Sequence, residues 1–402
     1  MNGPAPRLRP ARFGLLVTIA LAGATAFACG GGNADGTASP SPPPAAQAPT
    51  VTPTAADATA PAGPPRSFRM GFTPFPFAGD IESFIAAAQL VAGHEDLAVH
   101  HFDGGVPWPQ ALVDDTYPSS LDNELTGRAA TSPPGAARYV AVTPLSGNRG
   151  GLALLRADRE GQPLPPPWDT AALDDSDVIT AFTHYAEHVI ARLQPDYFAY
   201  ALEANMLLDA SPEQWPAFIA FASAVYPALK AAHPDLPVFV TLQAEWFHRD
   251  RATQAERLAE LMPYTDMIAV STYGYVRNVN PTAIAGYFDP LVALAPDKPF
   301  AIGESAWPAE ALDAPSPADA AFTPEGQAQY VAWLLETANA LDAAFVCWFY
   351  PRDFDQYWAR GLDAAPNAAT VRLFRDDGLW DGDGAPRPAM DVWLDWFHRP
   401  LP

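Results

Sequence analysis

Eight short apolar segments, each bounded by Pro, Gly or polar residues, alternate with helical patterns from about residue 66 to the C-terminus. Several of them are continuously apolar, which is typical of parallel strands covered on both faces. They are Phe68–Phe72, Leu97–Phe102, Tyr139–Thr143, Tyr197–Leu202, Val238–Leu242, Met267–Ser271, Phe300–Gly303 and Ala344–Phe349. Eight strands alternating with helices over this length predict a single α/β domain, a (β/α)8 TIM barrel.

The intervening helices are predicted from apolar residues at helical spacing. They are Ile81–Val91, Val178–Leu193, Pro212–Ala232 and Pro324–Leu341. Ser211 is the predicted N-cap of the third, with Gln214 completing a capping box, and Thr323 is the predicted N-cap of the fourth. A doubly wound open sheet is the competing architecture, and the lack of a Gly-rich phosphate loop after the first strand disfavours it.

The N-terminus has the order of charges and apolar residues that is typical of an export signal. Arg7, Arg9 and Arg12 precede an uncharged apolar run over residues 13–28, which is too short for a comfortable transmembrane helix. The small residues before Cys29 resemble a lipobox, although Ala26 stands where Leu is usual. We therefore predict a lipoprotein signal peptide at residues 1–28 and lipidation of Cys29. The alternative is an ordinary signal peptide cleaved near Ala28.

The rest of the chain divides into two parts. Residues 29–66 are rich in Pro, Ala and Thr, and we expect a disordered tether because such a segment buries too little surface to offset its ordering entropy. Residues 67–402 form the predicted barrel domain, expected to be a monomer. The other cysteine, Cys347, lies in an apolar run and is predicted to be a buried thiol. The predicted location is outside the cytoplasm, anchored at the cell surface or in the periplasm.

The net charge of −23 narrows the possible partners. Nucleic acids and anionic lipids bind clustered Lys and Arg, so both are disfavoured, and a polyanionic polysaccharide is disfavoured for the same reason. A neutral substrate fits the charge. Contact with a membrane is expected only through the lipid anchor.

Polar and aromatic residues follow the predicted strands, at the end of a barrel where barrel enzymes place their chemistry. Aromatic rings stack on the apolar faces of sugars, and carboxylates bind sugar hydroxyls. A carbohydrate-binding cleft is therefore predicted. Its candidate binding residues are His100, His101, Asp103, Trp108, Asn205, Glu245, Tyr273, Trp307, Trp348 and Arg352.

Two carboxylates, Glu203 and Glu304, each directly follow an apolar strand, the fourth and the seventh. Glycosidic cleavage needs one group that protonates the leaving oxygen and one that attacks or stabilises the anomeric carbon. The two glutamates are therefore the predicted catalytic pair. Their places on opposite sides of the barrel mouth allow the short separation that a retaining, double-displacement mechanism requires.

The pattern resembles the retaining glycoside hydrolases with catalytic Glu on strands four and seven, and within them the arabinogalactan endo-β-1,4-galactanases. The residues that carry the resemblance are Glu304-Ser305-Ala306-Trp307-Pro308, Tyr273, Trp348 and the C-terminal segment over residues 378–389. The resemblance implies that Glu304 is the nucleophile and Glu203 the acid/base. It further implies that Tyr273 hydrogen-bonds the nucleophile and that Trp348 forms the floor of a sugar subsite.

The chain departs from this family at two positions. Leu202 precedes Glu203, where the family has an Asn that binds the sugar 2-hydroxyl, and Asn205 is the candidate for that contact. On the second strand, His100 or His101 stands in the region where the family often has Arg.

Two other functions remain open. The first is a non-catalytic carbohydrate-binding lipoprotein on the same barrel. The second is a metal-dependent hydrolase that uses His100, His101 and Asp103. It lacks a further ligand at a fixed spacing, and strand alternation points the two histidines to opposite faces. No metal and no cofactor are predicted.

Overall fold

The computed structural model describes residues 63–312, 322–365 and 368–402. The predicted signal peptide, Cys29 and nearly all of the predicted tether lie outside the described residues. Within them, no helix combines the length and the apolar character that crossing a membrane requires.

Eight parallel strands close into a barrel in sequence order, and β1 pairs with β8 in the register Arg69 to Phe345. The strands are β1 Arg69–Thr73, β2 Leu97–Phe102, β3 Ala137–Val142, β4 Tyr197–Ala201, β5 Val238–Gln243, β6 Ile268–Thr272, β7 Phe300–Ser305 and β8 Phe345–Phe349. The (β/α)8 prediction is thus confirmed, with strand ends shifted by one or two residues. The shift at β7 brings Glu304 inside the strand.

Helices surround the barrel, and shorter ones extend its loops. They are α1 Ile81–Val91, α2 Trp108–Val113, α3 Ser119–Thr131, α4 Ser176–Leu193, α5 Leu207–Ala210, α6 Trp215–Ala232, α7 Ala244–Arg249, α8 Arg251–Leu261, α9 Asp289–Val292, α10 Pro324–Ala340, α11 Asp355–Ala359, α12 Ala368–Val371 and α13 Pro388–Phe397. Those after β1, β3, β4 and β7 confirm the four predicted helices.

The predicted helix caps divide into one that forms and one that does not. The Thr323 hydroxyl accepts a hydrogen bond from the Gly326 amide at 3.0 Å and caps α10 as predicted. The prediction of a capping box at Ser211 is wrong, because the Ser211 hydroxyl donates instead to the Gly150 carbonyl at 2.8 Å. A 3-10 turn over Pro212–Gln214 precedes α6 there. A contact with the loop after β3 has replaced the local cap.

Apolar side chains fill the barrel interior. Val99, Tyr139, Phe239, Phe345 and Cys347 belong to this inner cluster, and each is at most 1% exposed. Cys347 is a free, buried thiol, as predicted. A second, larger apolar layer lies between the strands and the helices. The interior is therefore a packed core, and the polar side chains of the barrel gather where the strands end.

Candidate active site

A cleft opens at the carboxyl ends of the strands. Its lining comes from strands β1 and β2, the loops after β1, β2 and β3, the ends of β4, β6, β7 and β8, and helices α1 and α3. The residues are Thr73, Pro74, Phe75, Pro76, Phe84, His101, Asp103, Gly104, Arg128, Arg149, Glu160, Leu202, Glu203, Tyr273, Glu304, Phe349 and Tyr350. Both predicted catalytic glutamates lie in this one cleft.

Glu203 leaves β4 in a strained backbone conformation. Its φ is +48°, in the left-handed region that residues with a side chain rarely occupy. The register of β4 against β5 shifts between Ala199 and Ala201, just before it. The Glu203 amide donates to the buried Thr241 hydroxyl at 2.8 Å, which holds this conformation. Such irregularities re-aim a side chain next to a functional site, and here the carboxylate enters the cleft.

Glu304 lies on β7 and has one close donor. The Tyr273 hydroxyl donates to Glu304 Oε2 at 2.6 Å, as the family resemblance implies. On the other side, His101 Nε2 is 3.8 Å from Glu304 Oε1. Glu304 is 6% exposed, so this hydrogen bond acts in a poorly hydrated environment.

A buried arginine that the sequence reasoning missed connects the acidic groups of the cleft. Arg149 Nη1 donates to both carboxylate oxygens of Asp103, at 2.8 and 2.9 Å, and Nη2 donates to Glu203 Oε2 at 3.2 Å. Arg149 is 3% exposed. Its only sequence signal is its place in a Gly-rich loop, between Gly147 and Gly150, that follows a predicted strand.

Burial raises the pKa values of both glutamates, and their mutual repulsion disfavours ionisation of both together. Burial raises the pKa of Glu304, and the charge of Glu203 raises it further, while the Tyr273 hydrogen bond and Arg149 oppose the rise. Burial also raises the pKa of Glu203, against the lowering effect of Arg149. The pair therefore holds a proton at a pH where two free glutamates would both be ionised.

The two histidines of β2 point to opposite sides, as strand alternation predicts. His101 points into the barrel, with Nδ1 3.3 Å from the Thr73 hydroxyl, and it lines the cleft. Burial lowers the pKa of His101 to about 3, so its ring is neutral. His100 Nε2 is 2.9 Å from the Ser132 hydroxyl on the helix side. His100 is therefore removed from the predicted cleft, and with Asp103 bound to Arg149 the three do not converge on a metal.

The three tryptophans predicted as sugar platforms are buried away from the cleft. Trp108 is fully buried, and its Nε1 donates to the Ala153 carbonyl at 2.9 Å. Trp307 stacks on Tyr330 with ring centroids 4.6 Å apart. Trp348 is also fully buried, and its Nε1 donates to the Asp377 carbonyl at 3.0 Å. The strands that these residues lie on or follow were predicted correctly, but the side to which each ring points was not.

Three polar candidates also lie outside the cleft. The Asn205 amide is fully buried, donating to the Gln243 carbonyl and to Gln254, so it does not replace the family's Asn. Glu245 is buried among hydrogen-bond donors of β5 and β6. Arg352 donates to the Gly382 carbonyl and lies over another side chain, the ring of Phe77. Local sequence could not separate such packing contacts from cleft contacts.

The apolar walls of the cleft come instead from Phe75, Phe84, Phe349 and Tyr350. Phe75 packs on Tyr350 with ring centroids 4.3 Å apart. Phe75 follows β1, Phe84 lies on α1, Phe349 ends β8 and Tyr350 follows it, so the aromatic side of the cleft faces the first and last strands. A sequence signal existed in Thr73-Pro74-Phe75-Pro76-Phe77, which directly follows the first predicted strand.

One group of carboxylates in the described part of the chain lies close enough to hold a metal ion: Glu310, Asp353 and Asp376. Arg387 forms ion pairs with Glu310 and Asp353, and Arg375 pairs with Asp376. Their charges are thus matched by guanidinium groups, which makes the group a structural network.

No family model and no curated protein matches this chain. Solved structures do resemble it. A GH5_18 glycoside hydrolase from Streptomyces cattleya, solved with GlcNAc, has 18% identity, covers 84% of this chain and 82% of its own, and gives a TM-score of 0.59. The exo-β-1,4-mannosidase Op5Man5 from Opitutaceae bacterium strain TAV5 has 14% identity, covers 82% of this chain and 59% of its own, and gives 0.58.

A structure from a study of two fungal β-1,4-galactanases has 14% identity, covers 80% of this chain and 94% of its own, and gives a TM-score of 0.51. The structural neighbours are thus glycoside hydrolases on an eight-stranded barrel, and they include galactanases. At these identities the likeness establishes the barrel fold.

Proposed function

We propose that this chain is a retaining glycoside hydrolase that cleaves β-glycosidic bonds in a neutral polysaccharide or oligosaccharide, with β-1,4-galactan or arabinogalactan as candidate substrates. The observation that carries the proposal is the placement of Glu203 and Glu304 in one cleft, at the ends of β4 and β7, with Tyr273 donating to Glu304 at 2.6 Å. Two buried carboxylates that resist joint ionisation are the groups that this chemistry needs.

In the first step, ionised Glu304 attacks the anomeric carbon while Glu203 gives its proton to the leaving oxygen. The Tyr273 hydroxyl stabilises the Glu304 carboxylate before the attack. In the second step, Glu203 removes a proton from water, which displaces Glu304 and restores both groups. The net result is hydrolysis with retained configuration.

Arg149 supports the change of role at Glu203. Proton donation leaves a buried Glu203 carboxylate, and the Arg149 Nη2 group, at 3.2 Å, stabilises that negative charge. Asp103 in turn neutralises Arg149, with contacts at 2.8 and 2.9 Å. Arg149 is thus neutralised within the protein, and the ionised Glu304 adds negative charge to the cleft, which favours a neutral substrate over an acidic one.

One observation favours the second candidate, a non-catalytic sugar-binding protein. Leu202 lines the cleft where the resembling family has Asn, and Asn205 is buried elsewhere. A hydrogen bond to the sugar 2-hydroxyl that strengthens in the transition state is therefore missing from the position at which that family supplies it. Turnover by the wild-type protein separates the two candidates.

The roles of the glutamates are tested after a screen of neutral β-glycans and aryl glycosides has identified a substrate. Glu304→Gly should abolish hydrolysis, and azide should restore cleavage by attacking the anomeric carbon from the vacated face, which gives a glycosyl azide of inverted configuration. Glu203→Ala should spare substrates whose leaving group needs no proton, and azide should then give retained product. The anomeric configuration of the products, determined by NMR, distinguishes these outcomes.

Two results would count against the proposal. The opposite azide pattern would exchange the roles of Glu203 and Glu304. Activity that survives both substitutions, on a substrate that the wild type cleaves, would remove this pair from the chemistry. Sugar binding without turnover in the wild type would support the second candidate.

A further inference from the structure

Glu245 lies at the junction of β5 and α7 and is 3% exposed. Four donors surround its carboxylate. Oε1 accepts from the Thr272 hydroxyl at 2.8 Å and the Tyr287 hydroxyl at 2.7 Å. Oε2 accepts from the Gln243 amide at 2.7 Å and from the backbone N–H of Tyr273 at 3.1 Å. Both oxygens are thus occupied by donors, an arrangement that suits a carboxylate and leaves no acceptor for an amide.

The Tyr273 contact connects this buried carboxylate to the cleft. Tyr273 directly follows β6 with φ −139° and ψ 64°, so its backbone has left the strand and no longer has the regular ladder to hold it. Its amide is bound by Glu245, and its hydroxyl donates to Glu304 at 2.6 Å. Tyr273 therefore connects the Glu245 hydrogen-bond network to the cleft.

We propose that Glu245 is a positioning residue that holds Tyr273 in hydrogen-bond contact with Glu304. Glu245 does not line the cleft, and among the described residues its shortest hydrogen-bonded connection to Glu304 runs through Tyr273. The inference deepens the proposed glycosidase function and rests on it for its catalytic consequence. The positional claim itself concerns the Glu245 carboxylate, the backbone N–H and hydroxyl of Tyr273, and the Glu304 carboxylate.

Glu245 influences the carboxyl pKa values of the cleft in two opposite directions. Its negative charge raises the pKa of Glu203, so neutralising Glu245 by charge alone lowers carboxyl pKa values in the cleft. The Tyr273 hydrogen bond lowers the pKa of Glu304, so losing the position of Tyr273 raises it. The direction of the change at Glu304 therefore separates positioning from simple charge removal.

Groups from five strands or their following loops bear on the titration of Glu304. Asp103 and Glu203 are acidic, Arg149 is basic, and His101 is neutral in its buried site. Tyr139, Cys347 and Tyr350 also face Glu304, and their own pKa values are raised well above neutral pH, so they carry no charge there. Among the described residues, Tyr273 alone both donates to Glu304 and contacts Glu245.

The decisive variant is Glu245→Gln, which keeps the shape and places an amide against the donors. The pKa of Glu304 is measured by infrared titration of its carboxyl band, assigned with Glu304→Gln, and needs no substrate. We expect a rise of about one pH unit, equivalent to about a tenfold change in the protonation equilibrium. Tyr273→Phe should give a rise of the same sign. The double variant should rise no further than Tyr273→Phe alone, because both changes act through one hydrogen bond.

With an established substrate, the acid limb of kcat/KM should move upward with the Glu304 pKa, and kcat should fall more than KM rises. Glu95→Gln controls for a buried Glu-to-Gln exchange outside the Tyr273 network, because Glu95 is buried and hydrogen-bonded to the Phe72 amide, and burial raises its pKa to about 8. It should leave the pKa of Glu304 unchanged. If Glu245→Gln does not fold, Tyr287→Phe removes one donor from Glu245 and should give a smaller shift of the same sign.

An unchanged or lowered pKa of Glu304 in Glu245→Gln, or additive shifts in the double variant, would overturn the positioning role. Failure of the proposed function has a different signature. No glycoside would then be cleaved and azide would rescue neither glutamate variant, while the infrared titration would still report whether Glu245 acts on Glu304.

Discussion

At the residue scale, the single positive charge of Arg149 acts on three carboxylates of the cleft. It donates to Asp103 and Glu203 and lowers the pKa of Glu304 through its charge. Removing one partner from a buried ionic network costs about 3–5 kcal/mol, because the remaining charges lose their compensation. Arg149 therefore contributes to folding and to the titration of the catalytic pair together.

Arg149→Met should move the whole pH–activity profile to higher pH. Glu304 must be ionised and Glu203 protonated for the proposed first step, so their pKa values set the acid and alkaline limbs. Arg149 lowers both values, and both limbs should therefore rise without it. The measurement is kcat/KM against pH with a substrate of the wild type.

Arg149→Lys is the control for this experiment. Lysine keeps the positive charge and lacks the planar fork that reaches two carboxylates together. The profile should shift less than in Arg149→Met. A profile that stays in place in Arg149→Met, with folded protein, would contradict the assigned electrostatic role.

At the element scale, β8 presents successive residues to opposite sides. Trp348 packs toward the helices, with its ring centroid 6.3 Å from that of Tyr330 on α10. Phe349 lines the cleft, 5.7 Å from Tyr273 between ring centroids. Alternation along one strand thus assigns one aromatic residue to stability and its neighbour to the site.

Substitutions of these two residues should separate stability from sugar binding. Trp348→Ala should lower the free energy of unfolding by about 3–5 kcal/mol, since a large fully buried ring is lost. Phe349→Ala should raise KM more than Trp348→Ala does, because it removes an aromatic wall of the cleft. Denaturant unfolding and steady-state kinetics measure the two effects. A weakened sugar affinity in a stable Trp348→Ala protein would restore the predicted subsite role of Trp348.

At the scale of the whole molecule, we propose that the barrel is exported and tethered to a membrane by lipid on Cys29. The Arg-rich start, the apolar run and the small residues before Cys29 support this proposal. Cys29→Ser should release the protein from the membrane fraction, because the thiol is the point of lipid attachment. Fractionation and immunoblotting measure the change. A variant that stays with the membrane would contradict the anchor.

Local sequence signals were enough to predict the order of the barrel elements and the two catalytic candidates. Strands and helices could be predicted because their sequence signals are local, as in the apolar run before Glu304 and the cap at Thr323. Glu203 and Glu304 were placed near each other by a general rule, since the carboxyl ends of parallel barrel strands meet at one mouth. The same rule identified Tyr273 as a cleft residue.

Which polar and aromatic side chains enter the cleft depends on three-dimensional packing. Asn205 and Glu245 follow strands as Glu203 does, yet both turn to buried donors and acceptors on neighbouring strands. Arg149 reaches Glu203 across 54 residues of sequence. Such contacts depend on how loops from different strands pack, and a buried polar group takes whichever partner that packing supplies.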